Sequence, residues 1–555
     1  MPIRVLQSEV VSKIAAGEVI ERPASVVKEL VENSLDAGAT QISIEVRNGG
    51  VELIKVSDNG AGIPASEVEL AFRRYATSKI SNLGDLGNIS SLGFRGEALP
   101  SIAAVAEVEI LTKTPSDAAG TFMYVRNGDV IRRGVRARPR GTTVTVRRLF
   151  YHFPARLKFL KSAATENSHI AHMLSQYSLA FPELRFSLVI DTRLSLNTTG
   201  DGDLRSVVNQ IYGSEVAGAM LDVRGKHTFI ESSGLISPPS LTRANRSYLS
   251  FFANRRWIHS PLLIRAVEEG YHGLLMDGRH PIAIVNVSLP FQEIDVNVHP
   301  AKAQVRFRHE QDVFAETKNA IKQALTQAPI AAKHMPSSAT SWPQQSFQMV
   351  KEKEPGFIAP LPALGLPILR PIGQLANTYI VAEGDEGLYL IDQHAAHERI
   401  LYEKILAQWS EREVEVQGLL EPATMELSPR EEETLKTNKE ALAQFGFALE
   451  SFGQRSHLIR AVPALIVKAN LVEAMRALLD NLAAKDIPAP WEEKVAKSLA
   501  CHGAIKAGQQ LSNEETRELI RQLEQCDQPR SCPHGRPTLI HLSSRQLERE
   551  FGRTS

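Results

Sequence analysis

The stretch that most constrains this chain is ASVVKELVENSLDAGA at residues 24–39. Its apolar residues recur at intervals of three and four, which predicts an amphipathic helix. Glu29 and Asn33 are four residues apart and therefore lie on one face of that helix. An amide oxygen can bind Mg²⁺, and a neighbouring carboxylate can polarise an attacking water. The helix therefore predicts a site where water attacks a magnesium-bound phosphate.

The following segment predicts a β-hairpin that ends in a glycine-rich turn. Two alternating strands meet at Asn48-Gly49, a pair typical of tight turns. The second strand runs into Asp58, Gly60 and Gly62. A carboxylate at a strand end can accept the amino hydrogens of adenine, and glycines let the backbone approach a flat ring. These three residues are therefore predicted to bind a nucleotide base.

A third segment completes the pattern. After a predicted helix at residues 66–79, the chain reads Gly93-Phe94-Arg95-Gly96-Glu97 and continues into an apolar stretch. Glycine-rich backbone at a helix N-terminus presents free N–H groups to phosphate oxygens. Lys79 is either a further phosphate ligand or a surface lysine.

The order of the three segments, ahead of the strand GTTVTV at residues 141–146, resembles the GHKL ATPases. The sequence motifs KELVENSLDAGA, SDNGAGI and TSKI…GFRGEAL are more similar to those of the MutL mismatch-repair family than to those of gyrase-type topoisomerases, chaperones or histidine kinases. The resemblance implies that Glu29 is a general base, that Asn33 holds Mg²⁺ and that Thr143 helps Asp58 to bind adenine. Lys302, in DVNVHPAK, matches the family's γ-phosphate lysine; by itself it would be a solvated loop residue.

The chain is too long, at 555 residues, for a single core. Residues 328–368 hold seven prolines and predict a flexible linker. We expect an α+β protein with a Bergerat-type α/β sandwich at 1–200, a ribosomal-protein-like α+β transducer domain at 201–327, the linker, and an α+β C-terminal domain at 369–555. The sequence has no membrane-length apolar run and no signal peptide, so we expect a cytoplasmic, nucleoid-associated protein.

Basic residues concentrate in one part of the chain. Residues 1–330 contain 38 Lys and Arg against 33 Asp and Glu, and the chain as a whole contains 63 of each, so its remainder carries the compensating negative charge. Residues 113–161 hold twelve basic and two acidic residues. This basic stripe predicts contact with the DNA backbone; a solvated face is the alternative. Its candidate DNA-binding residues are Arg147, Arg148, Arg156 and Lys158.

The C-terminal half contains a second group of candidate ligands. Asp392, His394, Glu398 and Glu403 follow one another at helical spacing, and Cys532 and His534 lie in SCPHGRPT, where an extended backbone would point both side chains the same way. Together with ACHGAIKAG, which supplies Cys501, these segments resemble the MutL proteins that carry a latent endonuclease. The resemblance implies catalytic roles for Asp392 and Glu398. The mixed ligands suit Zn²⁺ and also Mn²⁺ or Mg²⁺.

The resemblance also implies partners. They are DNA, a second copy of the chain, the mismatch sensor MutS, the replication sliding clamp and, as a further candidate, a helicase. The hexapeptide Gln417-Gly418-Leu419-Leu420-Glu421-Pro422 is similar to the family's clamp-binding peptide, with a plain strand end as the alternative. The predicted function is an ATPase with DNA-nicking activity. The alternative is a family member that recruits a separate nuclease.

Overall fold

The computed structural model describes residues 20–79, 91–93, 96–275, 279–295, 305–327, 366–412, 414–466, 470–483, 490–505 and 508–550. The chain forms two compact units. The first comprises Met1–Gln327, Val416–Pro463 and Leu471–Pro488, and the second comprises Ala328–Glu415, Ala464–Asn470 and Ala489–Ser555. Most of the predicted linker lies outside the described residues, and the four predicted domain boundaries remain predictions.

The first unit begins with an eight-stranded mixed sheet whose strand order is β5-β4-β3-β6-β2-β1-β7-β8. Helices α1, α2 and α4 bury their apolar faces against it in one continuous core. The strands are β1 (Gln41–Arg47), β2 (Leu53–Asp58), β3 (Glu107–Lys113), β4 (Gly120–Arg126), β5 (Asp129–Arg136), β6 (Gly141–Arg147), β7 (Arg185–Ile190) and β8 (Arg193–Asn197). The helices are α1 (Pro23–Asp36), α2 (Ala98–Val105), α3 (Pro154–Phe159) and α4 (Ala163–Ala180).

The predicted hairpin is present, with β1 and β2 antiparallel on either side of Asn48–Gly50. The predicted helix at residues 66–79 is wrong, because only Leu70–Phe72 forms a helical turn of the 3-10 type. Tyr75 has a left-handed backbone (φ 63°) and its N–H bonds to the carbonyl of Gly96, so the chain leaves helical geometry there.

A five-stranded sheet of order β13-β12-β15-β10-β9 follows in the same unit, and α7 and α8 contribute to its core. Its elements and the short ones around it are α5 (Leu204–Tyr212), α6 (Ser214–Ala219), β9 (Leu221–His227), β10 (Ile230–Ile236), β11 (Thr242–Arg243), β12 (Leu249–Ala253), β13 (Arg256–Ile258), α7 (Pro261–Gly270), β14 (His280–Pro281), β15 (Ala283–Ser288), β16 (Ile294–Asp295), β17 (Arg306–Phe307) and α8 (Glu310–Gln327).

A segment from the C-terminal half completes the first unit. It forms a three-stranded antiparallel sheet of order β21-β23-β22 with two helices, one of which, α10, packs against α4. Its elements are β21 (Val416–Glu426), α10 (Pro429–Gln444), β22 (Ala448–Ser451), β23 (Ser456–Pro463) and α11 (Leu471–Ala483).

The second unit is a four-stranded antiparallel sheet of order β18-β19-β20-β24 with helices beside it. Its elements are β18 (Arg370–Leu375), β19 (Tyr379–Gly384), β20 (Gly387–Asp392), α9 (Gln393–Glu411), α12 (Trp491–Gly503), α13 (Asn513–Glu524), β24 (Leu539–Ser543) and α14 (Ser544–Glu550). The predicted α+β class is confirmed. Across the described ranges, no helix combines the length and apolar character that a membrane span requires.

Candidate functional sites

Helix α1 positions the first group of candidate residues. Its Val26, Val27, Leu30 and Val31 are buried in the core, whereas the Glu29 side chain remains partly accessible to solvent. Lys28 lies beside it, with Nζ 3.6 Å from a Glu29 oxygen. Because burial is opposed by the negative charges of Glu32 and Glu29, the pKa of Lys28 is raised. The face carrying Glu29 and Asn33 is therefore available to a ligand while the helix is fixed from behind.

A lysine ammonium occupies the place predicted for a cation. Lys79 Nζ donates a 3.0 Å hydrogen bond to Asn33 Oδ1 and forms an ion pair with Asp36. This site fits Mg²⁺, because a neutral amide oxygen and a carboxylate already converge on a positive charge. The structure therefore brings Lys79 into the predicted site, although its role as a phosphate ligand remains a prediction.

Asp36 is a residue whose role the sequence did not indicate. Its carboxylate accepts hydrogen bonds from the backbone N–H groups of Leu92 (2.9 Å) and Gly93 (3.0 Å). The start of the predicted phosphate loop is thereby tied to the last turn of α1. Its position three residues after Asn33 was the available signal, since that spacing keeps both side chains on one helix face.

Asp58 lies at the end of β2 among neutral donors. Oδ1 accepts hydrogen bonds from the N–H groups of Gly60 (2.8 Å) and Thr142 (3.1 Å), and Oδ2 accepts one from the Ser34 hydroxyl (3.1 Å). Burial raises the pKa of Asp58, and these hydrogen bonds, with Arg138 nearby, offset only part of the effect. The carboxylate is therefore held at a defined angle by donors that carry no charge.

Thr143 and the glycines around Asp58 shape the same region. The Thr143 hydroxyl lies 2.5 Å from that of Ser57 and accepts a hydrogen bond from Arg138, a residue the sequence did not indicate. Gly62 has a φ of 78°, and a Cβ there would lie 2.2 Å from the Lys113 carbonyl oxygen. Only glycine fits that approach, which lets the turn after β2 close against β3.

The phosphate loop is described in part. Gly93 lies beside Lys79, and a Cβ on Gly96 would lie 2.5 Å from the Ala76 carbonyl oxygen. Glu97 is the residue before α2, as the prediction of a helix after the loop requires. Phe94, Arg95 and Lys302, three of the predicted nucleotide residues, lie outside the described residues.

The four candidate DNA-binding residues lie at the end of β6 and in α3. Arg147 and Lys158 are exposed, Arg148 is exposed and pairs with Glu107 at 3.3 Å, and Arg156 is half-buried. Tyr151 and Phe159 are exposed on the same segment. The segment therefore combines accessible positive charge with accessible aromatic surface.

The second group of candidates meets in the second unit. Glu398 on α9, Cys532 and His534 offer ligand atoms that all lie within 4.8 Å of one another. Glu398 is 5% exposed and Cys532 is 1% exposed, whereas His534 is open to solvent. A carboxylate, a thiol and an imidazole in this proximity fit Zn²⁺, and the carboxylate also fits Mn²⁺.

The backbone that brings Cys532 and His534 to Glu398 differs from the extended segment that the sequence predicted. The Cys532 carbonyl accepts a hydrogen bond from Gly535 N–H (2.9 Å), and its own N–H bonds to the Arg536 carbonyl (2.8 Å). Gly535 has a left-handed φ of 82°, which the return of the chain requires. A tight turn, rather than strand alternation, therefore points both side chains at Glu398.

His394 and Cys501 lie around the same carboxylate. His394 Nε2 is 3.5 Å from one Glu398 oxygen, and the Cys501 thiol hydrogen bonds to Glu398. Because His394 Nδ1 lies 2.8 Å from the Ile505 carbonyl, which can only accept, Nδ1 carries the proton and Nε2 can bind a metal. Burial would raise the pKa of Glu398, but His534, His394 and Cys501 together lower it.

Asp392 and Glu403, also predicted ligands, use carboxylate oxygens to organise the backbone. Asp392 caps α9, with Oδ1 accepting from the N–H groups of His394 (2.9 Å) and Ala395 (3.0 Å). Glu403 accepts hydrogen bonds from the N–H groups of Asp527 (2.7 Å) and Gln528 (3.1 Å). The structure does not bring either residue into the group formed by Glu398, Cys532 and His534.

Arg399 is a residue that the sequence did not indicate. It is buried, and its Nε donates a 2.5 Å hydrogen bond to the carbonyl of Ser531, next to Cys532. It therefore holds the turn against α9. Its signal was weak, because an arginine at this helix position usually faces solvent.

The predicted clamp-binding peptide lies in β21. The pairing of β21 with β23 shifts between Gly418 and Ala423, so the intervening residues leave the ladder. Gln417 and Pro422 are exposed, Leu419 is half-buried, and Leu420 is fully exposed. A plain strand end would keep the ladder, whereas this bulge presents an apolar side chain to solvent.

Comparison with known proteins gives three matching family models. They are the histidine kinase-, DNA gyrase B- and HSP90-like ATPase over residues 20–130, the DNA mismatch repair protein C-terminal domain over residues 208–326, and the MutL C-terminal dimerisation domain over residues 372–511. The chain is 40% identical to the DNA mismatch repair protein MutL of Desulforudis audaxviator over 570 residues, which cover 99% of both chains. It is 36% identical to that of Halothermothrix orenii over 640 residues, again covering 99% of both. Among solved structures, it is similar to the Aquifex aeolicus MutL ATPase domain complexed with ADP, with 27% identity, a TM-score of 0.39, and coverage of 49% of this chain and 93% of that one.

Proposed function

The chain belongs to the MutL family of DNA mismatch-repair proteins, and from this premise we propose that it is an ATP-hydrolysing homodimer that incises DNA itself. In this proposal, the first unit binds and hydrolyses ATP, and the second nicks one DNA strand with the help of a bound metal ion. The observation that carries the nicking function is the group of Glu398, Cys532 and His534, because it unites three kinds of metal ligand from distant segments.

The residues of the first unit support the ATPase function. Glu29 is accessible on α1, where it can take a proton from the attacking water. Asn33 and Lys79 offer an amide oxygen and a positive charge beside Gly93, which suits a Mg²⁺–phosphate group. Asp58, whose two oxygens are held by fixed donors, can accept the amino hydrogens of adenine. We further propose that Gly93 to Glu97 bind phosphate and that Lys302 contacts the γ-phosphate.

The residues of the second unit support the nuclease function. Glu398, Cys532 and His534 would hold a Zn²⁺ or Mn²⁺ ion. We propose His394 and Cys501 as further candidate ligands, because both lie beside the Glu398 carboxylate. When bound, such a metal supplies Lewis-acid stabilisation of the phosphodiester oxygens and lowers the pKa of a bound water. Asp392 fixes the first turn of α9 and with it the direction in which His394 points. We assign Asp392 and Glu398 the catalytic roles that the family resemblance implies. Glu403, which lies outside the group of three, stays a candidate ligand of a second ion and not of this one.

DNA, MutS and a second copy of the chain are the proposed partners. Arg147, Arg148, Arg156 and Lys158 offer positive charge without base-specific geometry, so binding would follow the DNA backbone and weaken steeply with salt. The region that matches the MutL dimerisation model supports a homodimer. ATP would join the N-terminal parts of the two chains into a ring around DNA, and hydrolysis would reopen it.

The sliding clamp is the proposed partner of the bulge at residues 417–422. The fully exposed Leu420 on an interrupted strand offers the apolar anchor that a peptide-binding groove needs. Gln417→Ala and Leu420→Ala should abolish the stimulation of nicking by the clamp and leave basal nicking unchanged. Unchanged stimulation in both variants would refute this partner.

The decisive experiment is nicking of supercoiled circular DNA with Mn²⁺, comparing the native protein with Asp392→Asn and Glu29→Gln. We expect Asp392→Asn to lose nicking and keep ATP hydrolysis. We expect Glu29→Gln to slow ATP hydrolysis by about 100-fold or more and to keep basal nicking. Failure of the native protein to nick, even with clamp and clamp loader present, would refute the nuclease and favour recruitment of a separate nuclease.

A further inference from the structure

Two adjacent arginines lie at a two-residue turn in the five-stranded sheet, one within the turn and one just after it. Asn254 and Arg255 form the turn between β12 and β13, and both have left-handed backbones with φ of 48° and 66°. The Asn254 side chain fixes the turn, because Nδ2 donates to the Leu289 carbonyl (2.8 Å) and Oδ1 accepts from the Leu289 N–H (2.9 Å). The directions in which Arg255 and Arg256 leave the turn are therefore defined by the backbone.

The two arginines make different kinds of contact. Arg255 is half-buried; its Nε donates to the Ala180 carbonyl (2.9 Å), and its Nη2 is 2.6 Å from both oxygens of Glu183. Arg256 is 8% exposed, and its Nη1 and Nη2 donate hydrogen bonds to the carbonyls of Leu92 (3.1 Å) and Ser91 (2.9 Å). A guanidinium fork matches two successive carbonyls in a way that a lysine ammonium does not.

Residues 91–93, the segment that Arg256 contacts, are also held by α1. The N–H groups of Leu92 and Gly93 donate to the Asp36 carboxylate, whereas the carbonyls of Ser91 and Leu92 accept from Arg256. Gly93 opens the predicted phosphate loop, and α1 carries Glu29 and Asn33. Residues 91–93 are therefore held by Asp36 of α1, the helix that carries Glu29, and by Arg256 of the five-stranded sheet.

We propose that Arg256 is a positioning residue for the phosphate loop, by which the five-stranded sheet sets the geometry of the nucleotide site. This contact is separate from the γ-phosphate contact proposed for Lys302. The inference rests on the proposed nucleotide binding of the first unit. Burial of the Arg256 guanidinium is costly unless it forms its hydrogen bonds to the carbonyls of Ser91 and Leu92. These bonds therefore fix the position of residues 91–93 relative to the five-stranded sheet.

The test uses the full-length protein with Arg256→Ala, Arg256→Lys and the matched control Arg255→Ala. The readouts are the Kd for the non-hydrolysable analogue adenylyl imidodiphosphate with Mg²⁺, the KM and kcat of ATP hydrolysis, and the Tm. Arg256→Ala should raise the Kd and KM by about tenfold or more, which corresponds to the loss of charge-assisted hydrogen bonds. Arg256→Lys should recover part of that loss, and Arg255→Ala should stay within about twofold of the native protein.

A merely structural role would give a different pattern. It would lower the Tm and reduce kcat in proportion to the folded fraction, with Kd and KM unchanged, and this pattern would overturn the proposal.

If Arg256→Ala does not fold, a double-mutant cycle of Arg256→Lys with Asp36→Asn decides. Because both residues hold one segment, their combined effect on the Kd should be smaller than the product of the single effects. Independent effects would refute the inference. Absence of ATP hydrolysis in the native protein would count against the ATPase function, whereas the Kd measurement still decides the role of Arg256.

Discussion

Asp58 in the first unit and Glu398 in the second are carboxylates in opposite surroundings. Asp58 is held by the N–H groups of Gly60 and Thr142 and by a serine hydroxyl, and burial raises its pKa. Glu398 is also buried, with 5% of its surface exposed, yet His534, His394 and Cys501 around it lower its pKa. The difference lies in the neighbours, which are largely neutral at Asp58 and include two imidazoles at Glu398.

The comparison separates two binding tasks. A carboxylate fixed by neutral donors is prepared for an uncharged ligand that brings hydrogens, as the amino group of adenine does. A carboxylate stabilised in its ionised form among nitrogen and sulfur ligands is prepared for a metal cation. Each site should therefore fail in its own way when the carboxylate is replaced by its amide.

The largest expected effect is at Glu398. Glu398→Gln removes the negative charge on which Cys532 and His534 converge, so we expect bound zinc to fall from about one ion per chain to nearly none. Metal content after dialysis, measured by mass spectrometry, tests this, and ATP hydrolysis should be unchanged. Glu403→Gln is the matched control. Because the Glu403 carboxylate bonds to the backbone of residues 527 and 528, this variant should keep its metal. Zinc retained in Glu398→Gln would show that Glu398 is not the carboxylate that binds the metal, and its contrast with Asp58 would fail.

A smaller effect is expected at Asp58. Asp58→Asn presents amide hydrogens where adenine presents its own, so the Kd for ATP should rise by about 100-fold. Inosine triphosphate carries an oxygen in place of the amino group, and its Kd should improve in the variant relative to the native protein. Calorimetric titration of both nucleotides measures the ratio. An equal loss for both would mean that Asp58 supports the fold and does not contact the base.

Sequence periodicity was sufficient for the elements around Asp58, and it failed where distant segments meet. Helix α1 and the hairpin of β1 and β2 follow from apolar spacing and from Asn48-Gly49, which are local properties. The sequence at residues 369–383 predicts a strand, but the structure has two strands there, because Ala376 and Asn377 adopt left-handed backbones between β18 and β19. Asn377 is a residue type that tolerates such a backbone, but Ala376 is not, so the sequence signal for this turn was weak.

The candidate sites divide along the same line. Glu398, Cys532 and His534 could be chosen from the sequence by chemistry, but the tight turn that joins them depends on Arg399 and on the Arg536 carbonyl. Asp36 and Arg256 were harder to choose, because both hold backbone groups at residues 91–93, and only the position of Asp36 on the helix face of Asn33 gave a signal. Contacts to the main chain leave little trace in residue type, which is why these roles emerged only from the structure.

A third buried carboxylate extends the comparison and carries the smallest expected effect. Asp480 on α11 lies 2.7 Å from the Tyr248 hydroxyl, whose single hydrogen is shared between Asp480 and a Glu431 oxygen at 2.9 Å. Burial, together with the negative charge of Glu431, raises the pKa of Asp480 to about 7, against an ordinary value of 3.8. Here the charged neighbour with the largest effect on the pKa has the same sign, whereas Glu398 has imidazoles beside it.

The sign of the pH dependence follows from this shift. Between about pH 4 and pH 7 the folded protein retains a proton on Asp480 that the unfolded chain has lost, so the free energy of unfolding falls as the pH rises. Asp480→Asn keeps an acceptor for Tyr248 and removes the titration. We expect its Tm to exceed that of the native protein by a few degrees at pH 8 and to match it near pH 5, since each ~1 kcal/mol corresponds to roughly 2–4 °C.

The matched variant is Tyr248→Phe, which should have the opposite effect. It removes the hydroxyl that bonds to Asp480, so it should lower the Tm most at pH 8, where Asp480 is ionised, and less at pH 5. Differential scanning calorimetry of the two variants across this range measures both signs. An Asp480→Asn variant that is less stable than the native protein at pH 8 would show that the ionised carboxylate stabilises the packing of α11. Neighbouring charge would then not be the property that distinguishes the three carboxylates.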